Sequence, residues 1–229
     1  MTRLLRPIAY RLLAFTSIAP SAAEQQDITA MVRGVVRVVL IASKGDEAYF
    51  VGHGSGFVVA PNKVLTNAHV VALLRTDKDL VIGIVPSEGK RGYGGKLIAY
   101  SPGNDLALIE VKDGRLPVST FYAGALADGQ HVTAIGYPAT VDRAQGLDLA
   151  EMVQPLEPVK TGGTISTGRS SQAFDTILHT APIAAGSSGG PLVDDCGRVL
   201  GVNSMGSVAE SAADAEFGFA VSNREIASF

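Results

Sequence analysis

Cysteine occurs once in the 229 residues, as Cys196. A lone cysteine excludes an internal disulfide and a zinc cluster built on cysteine. Charge is scarce too: charged residues make up 18% and the net charge is -3. Such a balance offers no electrostatic footprint for nucleic acid or an anionic membrane surface. No stretch approaches the roughly 20 apolar residues a membrane helix needs, so no span is expected in the mature chain. Fixed-period repeats, low-complexity tracts and sustained helical periodicity are missing as well. What the chain has is 46% hydrophobic residues and 26 glycines, enough to build a core and to turn between many short elements.

The first residues read as an address. Arg3, Arg6 and Arg11 precede a short apolar run, Leu12 to Ala19, and Ser21-Ala22-Ala23 offers small residues before Glu24. This is the pattern of a secretory signal cleaved near Ala23, with residues 1–26 as signal and tail and the protein exported. An organelle transit peptide, or a cytoplasmic protein with a plain tail, is the alternative.

From Met31 the chain is a succession of short β-type runs between Gly, Pro, Asn and Asp. Val35 to Ile41, Phe50 to Val59, Val64 to Thr66, Leu80 to Val85, Leu97 to Tyr100 and Leu106 to Val111 form a first series. A turn-rich passage, Lys112 to Gly129, separates them from a second. That series holds His131 to Gly136, a run ending near Ile165, Thr176 to Thr180, Leu192 to Val193, Val199 to Asn203 and Phe217 to Val221. The spacing predicts an all-β protein of two packed six-stranded antiparallel barrels. The expected boundaries are 27–122 and 123–229, with a short C-terminal helix over 223–229 capped by Ser222 or Asn223. Pro138 to Pro158 reads as a long loop or extended hairpin.

Chemistry concentrates in Gly186-Ser187-Ser188-Gly189-Gly190-Pro191. A serine hydroxyl needs a base to become nucleophilic and backbone N–H groups aimed at the oxyanion it creates. Gly186 can bend the chain so that its own N–H and that of Ser188 point into one pocket. Gly189 and Gly190 leave no side chain to obstruct a substrate. Of the four histidines, His69 stands where a β run ends and the chain turns; His53, His131 and His179 read as ordinary packed or solvated rings. Asp105 opens Asn104-Asp105-Leu106-Ala107-Leu108-Ile109. A charge beside a buried strand is costly unless paired, and His69 is the partner that would compensate it.

Taken together, these motifs resemble the trypsin/chymotrypsin-like serine proteases, and most closely their HtrA/Deg-like branch. The resemblance runs from about Val35 to Asn223. It rests on Gly54-Ser55-Gly56-Phe57-Val58-Val59, Leu65-Thr66-Asn67-Ala68-His69-Val70-Val71, Asn104 to Leu108, Ala134-Ile135-Gly136-Tyr137-Pro138, Gly186 to Leu192, Gly201-Val202-Asn203-Ser204 and Gly218-Phe219-Ala220-Val221. It implies a chymotrypsin-like double barrel hydrolysing peptide bonds through an acyl-enzyme, with neither metal nor organic cofactor. His69, Asp105 and Ser188 carry over as base, orienter and nucleophile. The N–H groups of Gly186 and Ser188 carry over as the oxyanion hole. The chain order His, Asp, Ser agrees with that family and not with subtilisin or the α/β-hydrolases.

The resemblance also implies a pocket for the residue before the cut, walled by Pro182, Ile183, Ser204, Met205 and Gly206, with Gly218 and Ala220 near its floor. None is charged, so cleavage after small to medium aliphatic residues is expected. Ser187 stands where trypsin-like zymogens place an aspartate, so activation by a fresh N-terminus is not expected. HtrA-like proteins usually continue into PDZ domains; none follows in this chain, and regulation through one is not expected here. Partners are then protein or peptide substrates, exported or misfolded, with a homo-oligomer left open. The alternative function is a catalytically silent binding or chaperone-like module on the same fold.

Overall fold

The computed structural model describes residues 28–44, 47–170, 174–204 and 217–229. Twelve strands account for most of it. The first six are β1 (Val35–Lys44), β2 (Glu47–Ala60), β3 (Lys63–Thr66), β4 (Leu80–Pro86), β5 (Tyr93–Ser101) and β6 (Leu106–Val111). They close into an antiparallel barrel in the order β1-β2-β3-β6-β5-β4. The next six are β7 (His131–Gly136), β8 (Val159–Ser170), β9 (Asp175–His179), β10 (Pro191–Val193), β11 (Val199–Ser204) and β12 (Gly218–Ser222). They close in the order β10-β11-β12-β9-β8-β7.

Period-two alternation explains how two barrels share one chain, because successive side chains on a strand face opposite ways. Val36, Val38 and Leu40 of β1 fill the first barrel together with Val58, Val64, Ile82, Ile84 and Ile109. Val132 and Ala134 of β7 fill the second with Ile165, Ile177, Leu192 and Leu200. The intervening residues face the other barrel. Val35, Phe57, Leu65 and Leu106 from one side meet Ile135, Tyr137, Val193, Val202 and Val221 from the other. The third core, between the barrels, fixes their docking and so fixes whatever lies along their shared cleft.

The expected elements are present, with some differences at their ends. β2 begins at Glu47, β5 at Tyr93, and β8 runs on past Ile165. The helical turn expected after His69, over Val70 to Leu74, is a 3-10 helix spanning His69–Arg75. The C-terminal helix is Asn223–Ser228; Ser222 occupies its N-cap without a side-chain cap bond, and Asn223 instead donates to the carbonyls of Tyr122 and Val199.

Pro138 to Pro158 departs most from its sequence reading. It holds two short helices, α1 (Ala139–Gln145) and α2 (Leu149–Met152). Gly146 ends α1 in the left-handed region at φ 69. Asp148 and Glu151 form a reciprocal capping box that starts α2. The buried residue of α1 is Asp142. A helix that turns a carboxylate inward leaves no hydrophobic periodicity to find.

Candidate active site

The end of β3 and the start of β6 lie side by side, Thr66 opposite Ala107. The residues just beyond each pair, His69 and Asp105, therefore emerge together at one rim of the first barrel. Asp105 has φ 54, a left-handed conformation that aspartate tolerates better than most residues. Two donors hold its carbonyl there, Asn67 Nδ2 at 2.9 Å and the Ala68 N–H at 3.1 Å. The turn aims the carboxylate back at His69. Its Oδ2 lies 2.9 Å from Nδ1 of the imidazole, and its Oδ1 accepts the His69 backbone N–H at 3.0 Å.

A second donor on this carboxylate was not legible from spacing. Ser204, at the end of β11 in the other barrel, donates its hydroxyl to Asp105 Oδ2 at 2.8 Å. Burial opposes the charge on Asp105, but the hydrogen bonds from His69 and Ser204 outweigh it and hold the carboxyl below its ordinary range. With Nδ1 bonded to a carboxylate, Nε2 is the acceptor nitrogen of a neutral His69 ring. The ring is half exposed.

The serine loop leaves the second barrel before β10 and leans on the first. Gly186 has φ 94 and Gly189 φ 88, both in the region that favours glycine. A Cβ on Gly189 would lie 2.1 Å from the Ser55 carbonyl oxygen and 2.2 Å from Thr66 Oγ1. A Cβ on Gly190 would strike the Ile135 carbonyl at 2.1 Å. The residues beneath the loop thus leave no room for a side chain at either position. Ser187 N–H returns to the Ala184 carbonyl at 2.9 Å, and Gly189 and Gly190 are tied to Asn203 in both directions at 2.8 Å.

One residue of the first barrel spans the loop. Ser55, fully buried on β2, donates its hydroxyl to the Gly186 carbonyl at 2.7 Å and accepts the Tyr137 N–H at 2.9 Å. Its own N–H donates to the Ser188 carbonyl at 2.8 Å. The Ala185 carbonyl is held by the Ala139 N–H at 2.7 Å. In a trans peptide the following N–H points the opposite way, so the Gly186 N–H is turned from Ala139. Among the described residues it donates to nothing. Val70, next to His69, and the Ser188 carbonyl meet over Gly54, whose Cβ position lies 2.7 Å and 3.1 Å from them.

Of the expected pocket residues, Ser204 turns its hydroxyl to Asp105, Pro182 is exposed with its carbonyl accepting from Thr161, and Ile183 packs on the core of the second barrel. Gly218 backs onto the His179 ring, and Ala220 lies inside that barrel. Met205 and Gly206 lie outside the described residues, as do residues 1–26. A cavity of about 480 Å³ between Tyr122, Leu126, Thr167 and Arg224 lies elsewhere, at the end of the second barrel. No group of three or more metal-ligating side chains occurs among the described residues.

Comparison with known proteins agrees with this architecture. Residues 54–202 match the family of the trypsin-like peptidase domain. Serine protease Rv3671c of Mycobacterium tuberculosis is 31% identical over 191 residues, 83% of this chain and 44% of that protein. Protease Do-like 5, chloroplastic, of Arabidopsis thaliana is 33% identical over 161 residues, and periplasmic serine endoprotease DegP of Escherichia coli is 28% identical over 186. These cover 66% and 77% of this chain, and 47% and 35% of the relatives. The chain thus spans less than half the length of these relatives. The crystal structure of Rv3671c protease in its active form superimposes with a TM-score of 0.68 at 24% identity, over 99% of this chain and 92% of that one; the likeness extends to the two-barrel fold as a whole. The chain belongs to the trypsin-like peptidase family and is homologous to the HtrA/DegP serine proteases.

Proposed function

We propose that this chain is a serine endopeptidase in which Ser188, His69 and Asp105 act as nucleophile, base and orienter. The observation that carries the reading is the His69–Asp105 hydrogen bond of 2.9 Å at the rim where the serine loop docks. Ser188 Oγ attacks the peptide carbonyl while His69 Nε2 takes its proton. The negative charge that forms on the carbonyl oxygen is received by the N–H groups of Gly186 and Ser188. His69 then gives the proton to the departing amine, leaving an acyl-enzyme that water hydrolyses with His69 again as base. Asp105 keeps Nδ1 protonated and offsets the charge on the imidazolium. Neither a metal nor an organic cofactor enters this reaction.

Specificity is read from the pocket residues that are described. Pro182, Ile183, Ser204, Gly218 and Ala220 offer no carboxylate to a Lys or Arg side chain, which favours cleavage after Val, Ala, Leu or Ile. Met205 and Gly206 belong to the same proposed wall. Ser187 accepts the Ala184 N–H at 3.3 Å, and this local partner supports a loop that needs no newly cut N-terminus. Relatives with periplasmic and chloroplastic names support export or organelle targeting and substrates among exported or misfolded proteins.

The test is covalent labelling with a fluorophosphonate, beside Ser188→Ala, followed by mapping of the labelled peptide and profiling on a peptide library. Labelling at Ser188 that the variant loses, with cuts after aliphatic residues, is the expected result. A folded protein that is not labelled but binds unfolded chains would replace this reading with a chaperone-like module.

A further inference from the structure

Beneath the serine loop lies a second set of ionisable groups that the proposed reaction does not use. Arg37 on β1, His53 on β2 and Asp142 on α1 are all buried, with side-chain exposures of 1%, 5% and 8%. Arg37 donates to Asp142 Oδ1 at 2.7 Å and to the Met152 carbonyl at 3.1 Å, and its guanidinium lies 4.7 Å from the centre of the Tyr137 ring. His53 Nε2 is 2.9 Å from the Tyr137 carbonyl oxygen and 3.2 Å from Asp142 Oδ2. Both neighbours are acceptors, so this nitrogen carries the proton. Burial pushes the imidazole below its ordinary range, which keeps the ring neutral.

Bringing three ionisable side chains out of water is costly, and an apolar filling would be no less stable. Their position suggests what the arrangement is for. A Cβ on Gly186 would lie 2.3 Å from the Tyr137 carbonyl oxygen and 2.7 Å from His53 Nε2. His53 and Tyr137 therefore press directly on the α-carbon of Gly186. Tyr137 and Ala139 form the ledge on which Ala185 and Gly186 rest, and His53 fixes the carbonyl of that ledge. Resting on the proposed catalytic reading, we propose that His53, braced by Asp142 and Arg37, is a positioning residue that holds the Gly186 N–H in the direction of the oxyanion. The relation is one of geometry: His53 touches no substrate and acts through the ledge.

The experiment is steady-state kinetics on an aliphatic peptide substrate, with fluorophosphonate labelling rates and thermal unfolding, for wild type, His53→Leu and His53→Gln. Losing one oxyanion donor lowers turnover by roughly 10²-fold. His53→Leu is expected to approach that loss in kcat and in labelling rate with KM unchanged. His53→Gln, which can still donate to the Tyr137 carbonyl, is expected to recover the rate to within about five-fold. A labelled wild type with His53→Leu unaffected in kcat would overturn the positioning role alone; so would His53→Leu and His53→Gln losing rate and melting temperature together. A folded wild type that is neither labelled nor active would overturn the catalytic reading, and this role with it. Should His53→Leu fail to fold, the double variant Arg37→Met, Asp142→Leu removes both charges at once. The same loss of kcat at constant KM is expected from it, and an undiminished kcat would overturn the proposal.

Discussion

Two histidine–aspartate pairs flank the serine loop, and they are built to opposite specifications. His69 and Asp105 meet at the open rim, with side-chain exposures of 48% and 17%. His53 and Asp142 meet below it at 5% and 8%, with Arg37 added. In the first pair Nδ1 faces the carboxylate and the ring is half exposed at the rim. In the second a single nitrogen faces both acceptors, and no substrate can reach it. A third pair, His131 with Asp195, is exposed at 57% and 47% on the outside of the second barrel. Residue type therefore does not distinguish a site from a brace or a surface contact. His69 and His131 even engage the same nitrogen, Nδ1; what separates the three pairs is how deeply each is buried and what surrounds it.

Substitutions at the two aspartates break this comparison most sharply. Asp105→Asn leaves His69 in the wrong tautomer, and kcat is expected to fall by about 10⁴-fold while the melting temperature changes little. Asp142→Asn leaves Arg37 buried without its counter-charge. The expected outcome is a loss of about 3–5 kcal/mol in chemical denaturation, so the larger stability effect belongs to the aspartate farther from the chemistry. Equal stability losses at the two positions would erase the distinction between rim and brace.

Acid sharpens it further. Burial lowers His179 to about 4 and pushes His53 in the same direction. Both rings take up a proton more readily unfolded than folded, so their contribution is complete above about pH 6.5 and lost as pH falls below it. For His179 the loss on going to pH 4 is of the order of 3 kcal/mol. Its ring is fully buried against Gly218, and His179→Phe should flatten that share of a stability–pH curve measured by denaturation. Asp105, lowered by His69 and Ser204, adds its own loss only under more acidic conditions, as pH falls through its depressed value. The smallest effect expected is at Ser204. Removing one charge-assisted hydrogen bond in Ser204→Ala should lower kcat by about ten-fold, and an unchanged kcat would show that His69 alone suffices to orient the carboxylate.

Much of this was legible in the sequence. The β-branched run from Val35 to Ile41 and its short successors, split by the turn-rich passage Lys112 to Gly129, made the strands and the two barrels readable; which alternate residues face the other barrel was not. His69 and Asp105 were marked by their neighbours: each stands at the edge of a buried strand, where an unpaired charge would be costly. The buried brace was not legible. Arg37 and Asp142 are 105 residues apart, and neither carries a local signal that names the other. His53, between two glycines in a strand, looks like any packed histidine until Tyr137 is brought against it by docking of the barrels. The two helices that carry Asp142 and Met152 were hidden for a related reason, since one of them buries a carboxylate. The glycines after Ser188 were marked as special, but the close approach of Ser55 and Ile135 beneath them is something no spacing could reveal.

Ser55 has a consequence for how the molecule is born. Its hydroxyl and N–H reach residues 82 to 133 positions later in the chain, Tyr137, Gly186 and Ser188. The first barrel can be synthesised and closed long before those residues leave the ribosome, and at that stage it holds a histidine and an aspartate with nothing to activate. On the proposed reading, nucleophile and base come together only in the last step of assembly, when the two halves dock and the serine loop settles onto Ser55. On that reading, a partly made or half-unfolded copy has no assembled pair of nucleophile and base.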